Sequence, residues 1–267
     1  MTDGLLNSAG MKTGSNSPLK KAVLLAAGKG TRMKELTAEL PKPMIPVAGT
    51  PVLERIVCGM KEAGISEFLI VTGYRADVVE SHFGNGGKWD VSIRYARQVV
   101  QDGTGRVVEL ARDFAGKDPF LLSYGDILVS SQTYAEAQRV WREKPCDGVF
   151  TVKLGEDIRK GAVAIFDADF RLCELVEKPD DAQIEALRGR FGDFKPWYNA
   201  GIYVFPPELF EYTARLQKSP RGEYELPEAI RQMVVSGKVF QGMVIEGSWV
   251  DVRDPEVLQQ LNQNWRG

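Results

Sequence analysis

One stretch near the start of the chain, residues 22–46, constrains the fold more than any other part of the sequence. Residues 22–27 are all apolar, which predicts a strand buried on both faces, as in a parallel sheet. A glycine-rich turn at residues 28–32 follows at once, and such a turn can bring backbone N–H groups close to an anion. Arg32 and Lys42 add two cations near the same place. The stretch therefore predicts a parallel strand that ends at a polyphosphate site.

The rest of the chain alternates between predicted strands and predicted helices. This alternation predicts an α/β fold with a Rossmann-like, mostly parallel twisted sheet flanked by helices. The rhythm breaks at residues 159–176, where two strands around a turn predict a small antiparallel hairpin subdomain. Ligands of such sheets bind beyond the carboxyl ends of the strands, where the turn at residues 28–32 lies. Further strands are predicted at residues 68–72, 91–96, 120–126, 148–154, 197–205 and 239–245, and helices at residues 51–63, 76–83, 133–142, 180–189 and 256–264.

Composition argues against several classes of function. The formal net charge is −2, which gives no reason to expect a nucleic-acid partner. No apolar stretch reaches the length of a membrane span, so no membrane partner is expected. The three cysteines are scattered and form no CxxC pair, which indicates a reducing, cytoplasmic location. His82 is the only histidine, which nearly excludes histidine acid/base chemistry and multi-histidine metal sites.

Local composition also predicts the domain boundaries. Residues 1–19 are dominated by Gly, Ser, Asn and Thr and lack the apolar segment of a signal peptide, so a disordered tail is predicted. Residues 20–267 contain neither an internal repeat nor an interdomain linker. They are therefore predicted to form a single domain.

The glycine turn is weak on its own, since Met33 replaces the third glycine of a dinucleotide fingerprint and no Gly-Lys-Ser/Thr closes a Walker A loop. The whole string is more specific. The G-x-G-T-R of residues 28–32 followed by the P-K-P-M of residues 41–44 closely resembles the sugar-1-phosphate nucleotidyltransferases, the family of glucose-1-phosphate thymidylyltransferase and its uridylyl, guanylyl and cytidylyl relatives. The resemblance covers nearly the whole chain. It implies transfer of a nucleotidyl group from a nucleoside triphosphate to a sugar 1-phosphate, with release of pyrophosphate.

The resemblance implies a nucleotide site at the first strand and at the loop of residues 98–104. Gln98 and Gly103 match a family spacing at which the chain lies against the nucleobase. A glutamine offers both a donor and an acceptor, which suits the edge of a pyrimidine and favours dTTP or UTP. Arg106 departs from the small residues common here in relatives, which leaves the base open. The implied nucleotide-binding residues are Leu25, Ala27, Gly28, Gly30, Thr31, Gln98, Gly103 and Thr104.

Two aspartates match the family's magnesium ligands. Asp126 follows a glycine at the end of a predicted strand, and Asp251 belongs to a W-x-D string near the end of the chain. Mg²⁺ is a hard cation that takes one or two carboxylates plus substrate phosphates. The resemblance implies that both aspartates hold Mg²⁺ together. It further implies three catalytic cations, Arg32 and Lys42 at the triphosphate and Lys178 at the phosphate of the sugar.

The predicted hairpin subdomain is expected to form the sugar pocket. Its E-K-P string contains Glu177, which the resemblance places at sugar hydroxyls, and the N-x-G of residues 199–201 is similar to a family segment that lines the pocket. The other implied sugar-binding residues are Tyr124, Gly161, Asn199, Gly201 and Trp249. Glucose is the family's broad default, while mannose, an amino sugar or a modified hexose fits the same motifs. Many relatives continue into a β-helix domain, which is not expected here.

Two other readings stay open beside the enzyme. One is a non-catalytic relative that binds nucleotide-sugars and regulates a partner. Every matched charged position of the family's site is present, which argues against it. The other is a Rossmann oxidoreductase, which the missing third glycine and the P-K-P-M string disfavour. The expected partners are therefore a nucleoside triphosphate and a sugar 1-phosphate, and a homo-oligomer is compatible, since relatives often form dimers or tetramers.

Overall fold

The computed structural model of the chain describes residues 16–28, 30, 33, 37 and 39–264. All other positions lie outside the described residues. Among them are Thr31, Arg32 and most of the predicted tail at residues 1–19, so the predictions made for them stay predictions.

Helices and strands follow one another along the described chain largely as the sequence predicts. The helices are α1 (Val52–Glu62), α2 (Ala76–Phe83), α3 (Thr104–Glu109), α4 (Arg112–Ala115), α5 (Ser131–Glu143), α6 (Asp181–Phe191), α7 (Leu209–Thr213), α8 (Leu226–Val235) and α9 (Pro255–Asn264), with 3-10 helices at Lys42–Met44, Gly87–Trp89 and Ile158–Lys160. The strands are β1 (Lys21–Ala26), β2 (Pro46–Val47), β3 (Thr50–Pro51), β4 (Glu67–Thr72), β5 (Ser92–Arg97), β6 (Phe120–Tyr124), β7 (Ile127–Val129), β8 (Gly148–Lys153), β9 (Ala162–Phe166), β10 (Leu172–Glu177), β11 (Trp197–Phe205), β12 (Phe240–Val244) and β13 (Trp249–Asp251). Over the stretches that the structure describes, no helix has both the length and the apolar character to span a membrane.

Side chains cap several helices where the sequence suggests a start. The Asp180 carboxylate accepts from the backbone N–H of Gln183, whose side chain accepts from the Asp180 N–H, a complete capping box at α6. At α9, the N–H of Val257 donates to the Asp254 carboxylate at 3.0 Å.

Nine of the described strands form one mixed sheet in which the core strands are mostly parallel, as predicted. β5, β4, β1 and β6 lie side by side and run parallel. β11 then lies antiparallel to β6 and also pairs with β8 and β9. The predicted hairpin is β9 and β10, and it continues the main sheet through β11. The order is therefore β10-β9-β11-β6-β1-β4-β5, with β8 paired to β11 and β12 paired to β8.

Apolar cores cover both faces of the sheet. In β1, Val23 and Leu25 belong to one core and Leu24 to the other, which is the alternation of a strand that is buried on both sides. Residues of α1, α2 and α5 pack in the core of Leu24, while residues of α3, α7 and α8 pack in the other. Helices therefore flank the sheet on both faces, and the open edge for a ligand is the carboxyl end of the strands.

A short ribbon outside the main sheet interrupts the strand predicted at residues 120–126. The chain leaves β6 at Gly125, whose N–H donates to Leu25 O at 2.9 Å, and β7 then pairs antiparallel with β13. In this pairing Asp251 lies opposite Ile127, and the Val252 N–H donates to Asp126 O at 2.9 Å. The ribbon therefore brings two aspartates that are far apart in the sequence to one place.

Candidate active site

A cleft of about 340 Å³ opens at the carboxyl ends of β1 and β6. It contains most of the predicted nucleotide residues together with Lys42, Tyr124 and Asp126. Its described lining is Leu25, Ala26, Ala27, Gly28, Lys42, Pro43, Gln98, Gln101, Gly103, Thr104, Val107, Tyr124, Gly125, Asp126 and Glu223. We call residues 25–28, Gly30 and residues 98–104 the loop end of this site, and residues 161–178 and 198–201 the hairpin end.

Lys42 joins the two predicted metal ligands. Its Nζ lies 2.5 Å from Asp126 Oδ2 and 3.7 Å from Asp251 Oδ1. The Lys42 side chain is 14% exposed and the two carboxylates are 28% and 21% exposed, so all three are partly shielded from water. An ammonium shared by two half-buried carboxylates offsets their mutual repulsion.

The P-K-P-M string fixes the position of Lys42. Pro41 is extended, and the chain then makes a single 3-10 turn at Lys42–Met44, in which Pro43 and Met44 are buried. Met44 belongs to the core on the Leu24 side. Gly30 lies against the turn, since a Cβ built on it would come within 2.7 Å of Lys42 Cβ. Buried neighbours therefore hold the Lys42 stem while its ammonium points at the aspartates.

The donor set fits a hard divalent cation. Two carboxylates meet at the junction of the loop end and the hairpin end, and oxygen is the ligand that Mg²⁺ prefers. No group of three or more acidic, histidine or cysteine side chains that could hold a metal ion occurs in the described part of the chain. A cation held here would thus complete its shell with water or with phosphate oxygens of a ligand, as Mg²⁺ does in nucleotide enzymes.

The loop end is built from backbone that is packed closely. The Gln101 side chain donates to Ala27 O at 3.0 Å, and this ties the loop after β5 to the end of β1. Gly103 has φ +116, and a Cβ there would overlap the backbone of Tyr224, so no other residue fits without a shift. Thr104 accepts from the Leu226 N–H at 3.1 Å. Gln98 lines the cleft, as its predicted role requires.

The hairpin end carries charged side chains. Glu177 Oε1 lies 3.9 Å from Lys178 Nζ and 3.7 Å from Arg221 Nη2, and Arg221 also pairs with Glu225 at 2.6 Å. Burial raises the pKa of the Glu177 carboxyl, and the Lys178 and Arg221 cations oppose that rise. The Lys178 N–H donates to Gly161 O at 2.7 Å. The E-K-P string thus places an acceptor and two cations together.

A group of tyrosines connects the two ends. Tyr124 stands at the end of β6 and its ring meets the ring of Tyr203 edge-on, with centroids 6.4 Å apart. Burial raises the pKa of the Tyr124 phenol, and contacts with Tyr203 and Thr104 partly oppose this rise. The Tyr203 hydroxyl donates to Asn199 Oδ1 at 2.8 Å, and the same oxygen accepts from the Gly201 N–H at 3.1 Å. Asn199 therefore shapes its own loop in addition to the sugar contact predicted for it.

Trp249 and Gly161 lie on the far side of this group. The indole N–H of Trp249 donates to Ala200 O at 2.9 Å, and its ring meets Tyr198 edge-on at 5.8 Å between centroids. A Cβ built on Gly161 would overlap the Tyr198 hydroxyl. The predicted residues of the sugar pocket therefore occupy one region, which Tyr198 completes.

Four residues of the site were missed by sequence reasoning. Arg221 and Glu223 belong to a loop that bonds through Tyr224 to Asp102 and Gly105, so it reaches the cleft from a distant part of the chain. Gln101 has the same residue type as its neighbour Gln98, and Tyr198 sits beside the recognised N-x-G. Only the R-G-E sequence of the loop, with its turn-forming glycine, offered a signal in advance.

Comparison with known proteins decides the family. The family described as Nucleotidyl transferase matches residues 21–266. The chain belongs to this family. It is 30% identical over 244 residues to the low-salt glycan biosynthesis nucleotidyltransferase Agl11 of Haloferax volcanii, covering 91% of this chain and 65% of that protein.

Two further comparisons concern the length and the fold. The chain is 29% identical over 245 residues to the UTP–glucose-1-phosphate uridylyltransferase AglF of Haloferax volcanii, covering 91% of this chain and 95% of that protein. It spans only 65%, 53% and 53% of the first three curated relatives that it matches. The structure of a UDP-glucose pyrophosphorylase complexed with UDP-glucose superposes with a TM-score of 0.79 at 20% identity, over 92% of this nucleotidyl transferase and 97% of that chain. The fold is therefore shared.

Proposed function

We propose that this nucleotidyl transferase transfers a nucleotidyl group from a nucleoside triphosphate to a sugar 1-phosphate, giving a nucleoside diphosphate-sugar and pyrophosphate. The observation that carries the proposal is the Asp126–Lys42–Asp251 cluster at the junction of the loop end and the hairpin end. A reaction between two phosphates needs its charge neutralised at the place where the two substrates meet.

Asp126 and Asp251 would hold a magnesium ion. When bound, Mg²⁺ neutralises charge on the phosphates and orients them. The carboxylates are partly shielded, and the neighbouring phosphates are the natural source of the remaining oxygen ligands.

The residues of the chain supply the remaining work. Lys42, held between the two aspartates, would stabilise the triphosphate and the departing pyrophosphate, and Arg32 is proposed to act with it. Lys178 would hold the phosphate of the sugar 1-phosphate. One oxygen of that phosphate attacks the α-phosphorus of the triphosphate in line while pyrophosphate leaves. No protein nucleophile is needed, because the attacking phosphate is already an anion. Catalysis is therefore orientation plus neutralisation of charge.

The substrates are proposed from the two ends of the site. Gln98 in the cleft can donate to and accept from a pyrimidine, which supports dTTP or UTP, and the printed name of AglF includes UTP. Glu177 can accept from two sugar hydroxyls, and Gly161 and Gly201 allow the sugar to approach the backbone. We propose a hexose 1-phosphate similar to glucose 1-phosphate.

The test is pyrophosphate release by the pure protein with Mg²⁺. dTTP, UTP, CTP, GTP and ATP are each combined with a set of sugar 1-phosphates that includes glucose, galactose, mannose and N-acetylglucosamine 1-phosphate. Release that requires one triphosphate and one sugar 1-phosphate together is the expected result. Triphosphate binding without release in any combination would contradict the proposal and favour a regulatory binding protein.

A further inference from the structure

Tyr198 occupies the hairpin end of the site without taking part in any family motif described above. It lies in β11, opposite Val163 of β9 and Lys153 of β8. Its ring packs on Trp249, and its hydroxyl fills the space that a side chain at position 161 would need. Only 7% of the residue is exposed. The surrounding backbone therefore holds both the ring and the direction of the hydroxyl.

The hydroxyl of Tyr198 differs from those of its neighbours because it has no hydrogen-bond partner among the residues that the structure describes. The Tyr203 hydroxyl is bonded to Asn199 at 2.8 Å, and Tyr124 contacts Tyr203 and Thr104. Its oxygen is also not one of the fully enclosed, unpartnered side-chain atoms of the described residues, so a ligand can reach it. A donor without a protein partner, fixed beside Gly161, is placed to bond a ligand.

The charges around Tyr198 indicate what kind of group it meets. Asp251, Glu156 and Glu177 all act on the phenol, against one cation, Arg253, which pairs with Glu156 at 3.3 Å. A tyrosine phenol keeps its proton at neutral pH and can therefore donate a hydrogen bond. Each of these carboxylates already has a cation within 3.9 Å, so the phenol faces no unpaired charge that an ionic ligand group would balance. A neutral hydroxyl fits.

We propose that Tyr198 is a specificity-determining residue, whose hydroxyl donates a hydrogen bond to a ring hydroxyl of the sugar 1-phosphate. The inference rests on the proposed function and refines it. It places a neutral, hydroxylated edge of the sugar at the Tyr198 hydroxyl, beside Gly161. A site that bonds a substrate hydroxyl rejects an analogue that lacks it.

The test compares wild type, Tyr198→Phe and Tyr212→Phe in steady-state turnover. Tyr198→Phe keeps the ring on Trp249 and removes only the hydroxyl. Tyr212→Phe is the matched control, since its hydroxyl bonds Ser236 on an exposed surface at 2.7 Å. Each protein is assayed with the sugar 1-phosphate selected by the substrate grid and with that sugar's monodeoxy analogues, one per ring hydroxyl, beginning with the glucose series.

The expected pattern is specific. Tyr198→Phe lowers kcat/KM for the parent sugar about 10-fold, the size of one hydrogen bond, and leaves the KM of the triphosphate unchanged. For one deoxy analogue, kcat/KM is lower than for the parent sugar in wild type and in Tyr212→Phe. In Tyr198→Phe, kcat/KM is the same for that analogue and for the parent sugar.

Two outcomes would overturn the inference and are distinguishable. If wild type turns over and Tyr198→Phe matches it with the parent sugar and all analogues, Tyr198 does not select the sugar, while the proposed function stands. If wild type releases no pyrophosphate in any combination, the proposed function fails and the inference fails with it.

Discussion

The loop end and the hairpin end of the cleft are built differently, and we propose that they recognise ligands by different means. The loop end is built largely from backbone, with glycines that allow close approach and loops that are tied together by the bond from Gln101 to Ala27 O. The hairpin end presents charged side chains, with the Glu177 carboxylate 3.9 Å from the Lys178 ammonium and 3.7 Å from the Arg221 guanidinium. Parallel strands build the first end, and antiparallel strands around β11 build the second.

This difference has a physical consequence for specificity. A backbone site binds a polyphosphate whatever sugar follows, because N–H groups and glycine turns do not change when side chains do. A site built of side chains on β9, β10 and β11 can change its sugar by single substitutions while the sheet stays the same. We propose that the chemistry takes place where the two ends meet, since the β7–β13 ribbon places Asp126 and Asp251 around Lys42 there.

The largest expected effect follows from a substitution in the Asp126–Lys42–Asp251 cluster. Asp251→Asn should lower kcat by about 10²-fold or more, the size seen when one preorganised electrostatic contact is lost. Turnover is measured at saturating substrates, with Asp118→Asn as the control, because Asp118 pairs only with Lys21 on the surface among its described contacts. If Asp251→Asn has the kcat of wild type, Asp251 takes no part in the chemistry and the reaction does not occur where the two ends meet.

Removing the shared cation gives the next effect. Lys42→Met should lower kcat by about 10²-fold and lower the Tm in EDTA, because two half-buried carboxylates lose the ammonium between them. Added Mg²⁺ should raise the Tm of Lys42→Met more than that of wild type, since a cation replaces the lost charge. An equal Mg²⁺ shift in both proteins would show that the metal binds elsewhere.

Glu177→Gln and a change of pH should both alter the binding of the sugar 1-phosphate at the hairpin end, but not the binding of the triphosphate at the loop end. Glu177→Gln is expected to raise the KM of the sugar 1-phosphate about 10-fold while leaving that of the triphosphate unchanged. The raised pKa means that Glu177 takes up its proton at a higher pH than an ordinary glutamate does. As the pH falls, the affinity of wild type for the sugar 1-phosphate should therefore begin to decrease at that higher pH.

Glu177→Gln also supplies its own control. An acid with a raised pKa in the folded state is destabilising when charged, so the variant should be at least as stable as wild type at neutral pH. If the sugar KM of Glu177→Gln keeps the wild-type pH dependence, another group is responsible.

The smallest effect tests the loop end. Gln98→Ala should reduce the preference for pyrimidine over purine triphosphates by about 10-fold at most, which is the effect expected from the loss of one hydrogen bond. Gln101→Ala, in the same loop, should raise the KM of all triphosphates alike, since Gln101 fixes the loop to Ala27. If Gln101→Ala changes the base preference and Gln98→Ala does not, the proposed roles of these two glutamines are wrong.

Much of this architecture could be predicted from the sequence because its signals are local. The apolar run before Gly28 predicted the central strand, and the P-K-P-M string predicted a stiff segment. The meeting of Asp126 and Asp251 came only from resemblance, since it depends on the β7–β13 ribbon, which no local pattern specifies. The strand predicted through Asp126 ends instead at Tyr124, where Gly125 bonds back to β1.

Other residues of the site could not be predicted for the same physical reason. Arg221 reaches Glu177 only because its loop folds onto the loop after β5. Tyr198 looked like an ordinary strand residue, and the role proposed for it depends on the space left by Gly161. Tertiary placement, not residue type, decides these roles.

The most direct measurement follows a label on the α-phosphate of dTTP or UTP. Wild type is incubated with the labelled triphosphate, Mg²⁺ and the sugar 1-phosphate, and with each component omitted in turn. The account predicts that the label enters a nucleoside diphosphate-sugar only when all three are present. Label released as nucleoside monophosphate at an equal rate without the sugar, or no movement of label at all, would contradict the claim that both ends deliver their substrates to one centre.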